Sequence, residues 1–196
     1  MALAYANIKI EFREVVLNNR PQSLYDISTK GTVPVLQLSN GFVVDESLDI
    51  MKWALDQFLS DWYYHDTELQ NEMINHNDIV FKQWLDKYKY HERHLENTLE
   101  FYRDKCVETL SHYEISLGKT SYLLDDNIQL VDVAIFPFVR QCANVDREWF
   151  VIKFPNVERW LESWIQSEIF KQVMPKYKAW KLDAPPLYIS FHLGGE

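Results

Sequence analysis

Apolar and polar residues alternate one for one over residues 8–13, where Ile8, Ile10 and Phe12 interleave with Lys9, Glu11 and Arg13. A period of two sends successive side chains to opposite faces, so this stretch predicts a half-buried strand. Residues 2–6 read as the last turns of a helix, with Asn7 as its stop. Arg20-Pro21 opens a short helical or turn segment that runs to about Ile27. Residues 33–38 predict a second strand and Phe42-Val43-Val44 its return. Between them Ser39-Asn40-Gly41 supplies the Asn-Gly pair, a strong hairpin signal because both residues tolerate positive φ. From Glu46 the period lengthens, and Leu48, Met51, Leu55 and Leu59 recur at helical spacing.

Residues 61–66 break that pattern and predict a linker. Everything beyond reads as helix, with no further strand-like alternation. One stripe comprises Leu69, Met73, Val80, Trp84 and Tyr88. A second comprises Leu95, Leu99, Tyr102, Cys106, Leu110, Tyr113 and Leu117, and ends at Gly118. A third helix is expected from about Leu130 to Val145, kinked at Pro137, because an internal proline removes a hydrogen bond and crowds the preceding turn. Val157, Trp160, Leu161, Trp164 and Ile165 mark a fourth helix after Pro155, and a short fifth spans about 168–174. The tail from Lys176 predicts an extended chain partly packed by Trp180, Leu187 and Tyr188. The expected architecture is an α/β unit over residues 1–60, a linker over 61–66 and an all-helical unit with an extended tail over 67–196.

Composition narrows the function classes. Of 196 residues, 47% are hydrophobic and 25% charged, which suits a folded chain with a substantial core. A formal charge of −9 argues against nonspecific nucleic-acid binding, which needs clustered cations to displace phosphate counterions. No apolar run reaches the roughly 18 residues of a membrane span, and the opening residues lack a secretory pattern. Cys106 and Cys142 lie far apart in helical patterns and read as buried free thiols, which points to a reducing cytoplasm. His91 and His94 are three residues apart but have no supporting carboxylate-His pattern; a solvated helix face, and no metal site, is expected.

The stretch most charged with chemistry is Lys30-Gly31-Thr32-Val33-Pro34-Val35-Leu36, followed by Asp45-Glu46-Ser47 at a helix start. Read alone, Ser47 is an ordinary N-cap, Asp45 and Glu46 are ordinary first-turn acids, and Arg20 and Lys30 are surface cations. Taken together and in this order, the Val33-Pro34 turn, the Glu46-Ser47 helix start, the helical second half and the acid at Asp132 resemble the soluble glutathione S-transferases, closest to an omega-like or bacterial-transferase-like branch. The resemblance implies an N-terminal thioredoxin-like domain followed by a helical-bundle domain. It further implies a cis Val33–Pro34 bond, with the Val33 main chain free to pair with the cysteinyl backbone of glutathione as an added strand would. Ser47 would hold the γ-glutamyl carboxylate at the positive end of a helix, Glu46 would meet the ligand ammonium or fix the loop, and Arg20 would meet the glycyl carboxylate. Glutathione is then the co-substrate, a small electrophile or a disulfide the acceptor, and a homodimer the assembly. In the family Asp132 caps a helix with a Ser or Thr three residues earlier; here Gln129 stands there, which predicts a degraded capping box.

In this family the catalytic Tyr, Ser or Cys sits between the first strand and the first helix, and residues 1–6 resemble the far end of that helix. The first strand, the nucleophile and the start of the helix are therefore expected upstream of Met1, which leaves the catalytic residue unassigned and predicts impaired catalysis. A truncated or wrongly started gene product, a strand donated by a partner, or a folded remnant would each account for this, the first most simply. The alternative function is a nonenzymatic transferase-like module used for protein assembly.

Overall fold

The computed structural model describes residues 1–57, 62 and 67–191. Leu59, His65, His192, the 192–196 end of the tail and all of the expected 61–66 linker except Trp62 lie outside them. The chain divides into two compact units, Met1–Ser60 together with Glu168–Glu196, and Asp61–Ser167.

The first unit contains α1 (Ala2–Tyr5), β1 (Ile10–Glu11), α2 (Gln22–Ile27), β2 (Leu36–Gln37), β3 (Val43–Val44), α3 (Ser47–Asp56), α10 (Glu168–Val173) and β4 (Tyr188–Ile189). Asn7 ends α1 at a φ of 50°, a conformation asparagine tolerates better than most residues. The alternation over 8–13 survives as half-buried Ile8, Ile10 and Phe12 against exposed Lys9, Glu11 and Arg13. The ladder itself is shorter than the patterns predict, two residues in each strand. β2 and β3 form an antiparallel hairpin, Leu36 opposite Val44 and Gln37 opposite Val43. Its tip closes with Leu38 N–H on Phe42 C=O at 2.8 Å and Gly41 N–H on Leu38 C=O at 2.9 Å. Gly41 takes a φ of 86°, which makes this a three-residue loop with glycine in the left-handed position.

The tail departs from expectation. It does not extend from the helical unit but folds with the first one, and it contains a strand. β4 runs antiparallel to β1, Ile10 opposite Ile189 and Glu11 opposite Tyr188, so β1 takes its ladder partner from this same chain. Local alternation is too short there to announce a strand; the pairing with β1 creates it.

The second unit holds α4 (Glu68–His76), a π-helical turn at Asn77–Phe81, α5 (Lys82–Lys89), α6 (Leu99–Leu117), α7 (Leu130–Ala143), α8 (Arg147–Lys153) and α9 (Pro155–Gln166). Thr67 caps α4 by accepting from Gln70 N–H, and Thr98 caps α6 by accepting from Phe101 N–H, each at 3.2 Å. The stripe along α4 and α5 is displaced from the apolar pattern. Leu69 and Val80 are exposed, while Gln70, Ile74, Asn77, Phe81, Leu85 and Tyr88 are buried. The π turn shifts the phase, and Gln70 belongs in the core because its Oε1 accepts the Val131 N–H at the start of α7, at 3.1 Å. On α6 the stripe holds from Tyr102 to Leu117, but Leu95 precedes the Thr98 cap and is 85% exposed. His91 and His94 lie at a 3₁₀ turn between α5 and α6, not on a helix face. α7 runs through Pro137 without interruption.

Two carboxylates organise this unit. Glu114 on α6 accepts from the Asn156 N–H (3.0 and 3.1 Å), the Asn156 side-chain amide (2.7 Å) and the Val157 N–H (2.9 Å). It thereby serves the N-terminus of α9, whose own cap residue, Phe154, has no side-chain acceptor. Asp132 is fully buried. Its Oδ1 accepts from Leu123 N–H (2.9 Å) and Trp160 Nε1–H (3.1 Å), and its Oδ2 from Gln129 N–H (3.0 Å). That last bond is the returning arm of the capping box. Both arms of the box are in place, so glutamine does not abolish it; the forward arm falls short of a hydrogen bond, and buried Gln129 Oε1 has none among the described residues. The Gln129 amide nitrogen turns instead to Asp125 Oδ2 at 2.7 Å.

Candidate functional site

The candidate site is built in the first unit from the loop before β2 and the mouth of α3. Gly31 sits in that loop with a φ of 59°, and its N–H donates to Ser28 C=O at 3.1 Å. A Cβ there would stand 2.3 Å from Tyr25 Cε1, so the ring of α2 packs where only glycine leaves room. Two residues on, the Val33–Pro34 peptide is cis. Val33 is 42% exposed, and no hydrogen bond from another described residue reaches its main chain.

Lys30 ties this loop to the helix mouth. Its ammonium lies 3.0 Å from Asp45 Oδ1 and 2.5 Å from Glu46 Oε1, while buried Ser28 donates its hydroxyl proton to Asp45 Oδ2 at 2.7 Å. The hydrogen bonds to Glu46 and then Asp45 hold the Lys30 pKa above its ordinary value. Those from Ser28 and then Lys30 hold Asp45 below the usual carboxylate range. A depressed carboxylate stabilises at pH above its ordinary titration range and loses that contribution on acidification. The ion pairs are exposed, so they fix geometry more than they stabilise.

Glu46, not Ser47, holds the N-cap position of α3, and its side chain makes no capping bond. Ser47 is the first helical residue, exposed, with its hydroxyl unspent on the cap. This overturns the ordinary-cap reading of Ser47, because Glu46 already takes the extended backbone conformation of a cap (φ −116°, ψ 135°) and its C=O accepts the first helical bond from Ile50 N–H at 2.9 Å. Glu46 is occupied with fixing the loop. Of the four expected residues, Glu46 is bonded to Lys30, which ties the loop that carries Val33 to the helix start that carries Ser47. Arg20 stands apart just before Pro21 and α2, exposed, with no hydrogen bond or ion pair to another described residue.

Sequence reasoning passed over Ser28, Tyr25 and the role of Gly31, and treated Lys30 as a plain loop cation. One available signal was the charge match between Lys30 and Asp45-Glu46 across a hairpin. The remaining polar donors and acceptors at this mouth can grip an extended peptide and place a carboxylate at a helix N-terminus. A cavity of about 370 Å³ elsewhere, lined by Thr67, Leu69, Leu124, Asp125 and Gln129, contains none of these residues. Among the described residues no three His, Cys, Asp or Glu side chains converge as metal ligands would, and no helix is long and apolar enough to cross a membrane.

Comparison with known proteins bears on this arrangement. Residues 1–60 match the family model described as Glutathione S-transferase, N-terminal domain, and residues 82–163 the one described as Glutathione S-transferase, C-terminal domain. The chain is 25% identical over 193 residues to the probable glutathione S-transferase parA of Nicotiana tabacum, covering 89% of this chain and 82% of that one. Among solved structures it is similar to BphK, a bacterial GST in a ternary complex, with a TM-score of 0.72, 18% identity, and coverage of 87% of this chain and 88% of that one. It is also similar to URE2P6 of Phanerochaete chrysosporium in complex with oxidized glutathione, with a TM-score of 0.67, 17% identity, and coverage of 78% and 76%.

Proposed function

Since the chain belongs to the glutathione S-transferase family, with that family's thioredoxin-like and all-helical domains, we propose that it binds glutathione at the mouth of α3 and transfers it to or from a small acceptor. The observation that carries this reading is the main chain of exposed Val33, to which no other described residue hydrogen-bonds, in a loop that Lys30 ties to a helix start whose serine hydroxyl makes no capping bond. Val33 pairs with the cysteinyl backbone of the tripeptide in the manner of an added strand. The γ-glutamyl carboxylate takes the Ser47 hydroxyl and the first N–H groups of α3, where the helix dipole favours an anion. Arg20 is the cation assigned to the glycyl carboxylate. Glu46, paired with Lys30, keeps the loop in place.

In the transfer step the thiol proton goes to solvent or to a base. The thiolate then displaces a leaving group from an electrophilic carbon, or attacks a disulfide and releases the second sulfur as thiolate. We further infer a homodimer acting in a reducing cytoplasm, where buried Cys106 and Cys142 remain thiols. Light scattering on the eluting protein is expected to give twice the chain mass; a monomer removes that part of the proposal.

Calorimetric titration with glutathione tests the reading. Ser47→Ala removes one hydrogen bond to a charged group, worth about 1.5–3 kcal/mol, so the dissociation constant is expected to rise at least about tenfold. Unchanged affinity would remove Ser47 from the site. A wild-type chain that shows no heat of binding sinks the proposal itself.

A further inference from the structure

We propose that the stretch Glu168–Phe191, which lies outside both matched domains, is a strap that positions the glutathione-binding unit, holding β1 directly and the Ser47 end of α3 through α1. The part concerning affinity rests on the glutathione reading above; the part concerning order does not.

Packing supplies the first argument. α10 packs on α1, and α1 packs on α3. The buried residues of these three helices are Ala2 and Ala4 on α1, Ile50, Ala54 and Leu55 on α3, and Ile169 on α10. A four-residue helix such as α1 has no stability of its own in water, so its place depends on both neighbours. Losing α10 from one side loosens α1, and with it the packing on α3, whose buried positions begin at Ile50, one turn from Ser47.

The ladder supplies the second. Phe12 N–H donates to Leu187 C=O at 2.7 Å, and by the alternation of antiparallel pairs Ile10 and Ile189 exchange the next set. Trp180 N–H donates to Glu14 C=O at 2.9 Å. Side chains repeat the attachment: Arg13 lies over the Trp180 ring (4.8 Å), Lys9 over Tyr188 (5.0 Å), and the Phe12 and Tyr177 rings meet at 4.9 Å. Phe191 is buried and anchors the described end. Between these points the strap is exposed, residues 181–188 throughout. A segment fastened at a few sites and solvated elsewhere opens at lower free energy than the core around it. When it opens, β1 is left as an unpaired edge.

The experiment uses the full chain and two substitutions. Ile189→Pro removes the ladder N–H, and Trp180→Ala removes the Arg13 contact while leaving the backbone intact. Amide hydrogen exchange is read at Ile10 and Phe12 in β1, at Ile50 in the first turn of α3, and along α6 as an internal reference; glutathione affinity is measured alongside. The expected result is exchange faster by about tenfold or more at Ile10, Phe12 and Ile50, with α6 unchanged and glutathione bound several-fold more weakly. Two results overturn the strap: unchanged protection of β1 in both variants, or faster exchange in β1 with Ile50 and glutathione affinity unaffected. If the unmodified protein binds no glutathione, the functional reading fails, and exchange at Ile50 still decides whether the strap supports α3.

Discussion

Replacing Asp132 with alanine is expected to unfold the helical unit or bring it close to unfolding. The side chain is fully buried and accepts from three N–H groups, those of Leu123, Gln129 and the Trp160 indole. Alanine leaves all three without acceptors, at a cost of roughly 1–3 kcal/mol for each buried orphan. A combined loss on the order of 3–9 kcal/mol consumes much of the roughly 5–15 kcal/mol that holds a typical domain together. Urea unfolding followed by far-ultraviolet circular dichroism checks this; a midpoint within error of the unmodified protein would rule out the role. Asp132→Asn should be milder, because one carbonyl oxygen can still serve Leu123 and Trp160 while the new amide opposes the Gln129 N–H.

The same carboxyl gives the unit a pH dependence. Burial pushes its pKa up to about 6 from an ordinary 3.8, against the lowering pull of its three donors. A raised folded-state value means that the folded protein holds this proton more tightly than the unfolded chain does. The contribution is therefore fully present below about 3.8 and is lost as pH rises through about 6. Two units correspond to about 3 kcal/mol, so the urea midpoint should carry a falling component between these limits that Asp132→Asn abolishes.

Gly31→Ala is the second large effect, and it falls on the other unit. The backbone there has a φ of 59°, and the new methyl would lie 2.3 Å from the Tyr25 ring. Left-handed backbone at a non-glycine residue costs about 1 kcal/mol or more, and moving the ring adds to it, for a total near 2–3 kcal/mol. The loop that would shift carries Lys30 on one side and Val33 on the other, so glutathione affinity is expected to fall more than for Ser47→Ala. A double-mutant cycle separates the causes. Tyr25→Ala should relieve the contact part of the penalty and leave the backbone part. If Gly31→Ala binds glutathione as the unmodified protein does, the loop does not shape the site.

Elements whose cause is local were legible before any coordinates. The alternation at Ile8, Ile10 and Phe12, the Asn40-Gly41 loop and the stripe from Tyr102 to Leu117 each follow from turns or periods spanning a few residues. The Val33-Pro34 turn and the Glu46-Ser47 helix start were legible as a combination, although Ser47 reads as a cap until Glu46 is seen to occupy that place. The apolar stripe on α4 and α5 misled because hydrophobicity cannot tell a polar residue with a distant partner from a solvated one. Gln70 is buried with its Oε1 on the N–H of Val131, sixty-one residues later, a bond no local pattern announces.

By itself, then, the order of residues determined where helices and turns form and which short motifs could bind a peptide, since those depend on neighbours along the chain. The tertiary structure alone decided that Tyr188 and Ile189 would be a strand, that Leu69, Val80 and Leu95 would face water, and that Lys30 would pair with Asp45 and Glu46 at the mouth of α3. Each of those outcomes requires a partner that only folding brings near, and a backbone or side-chain group far away in sequence leaves no periodic trace of the bond it will make.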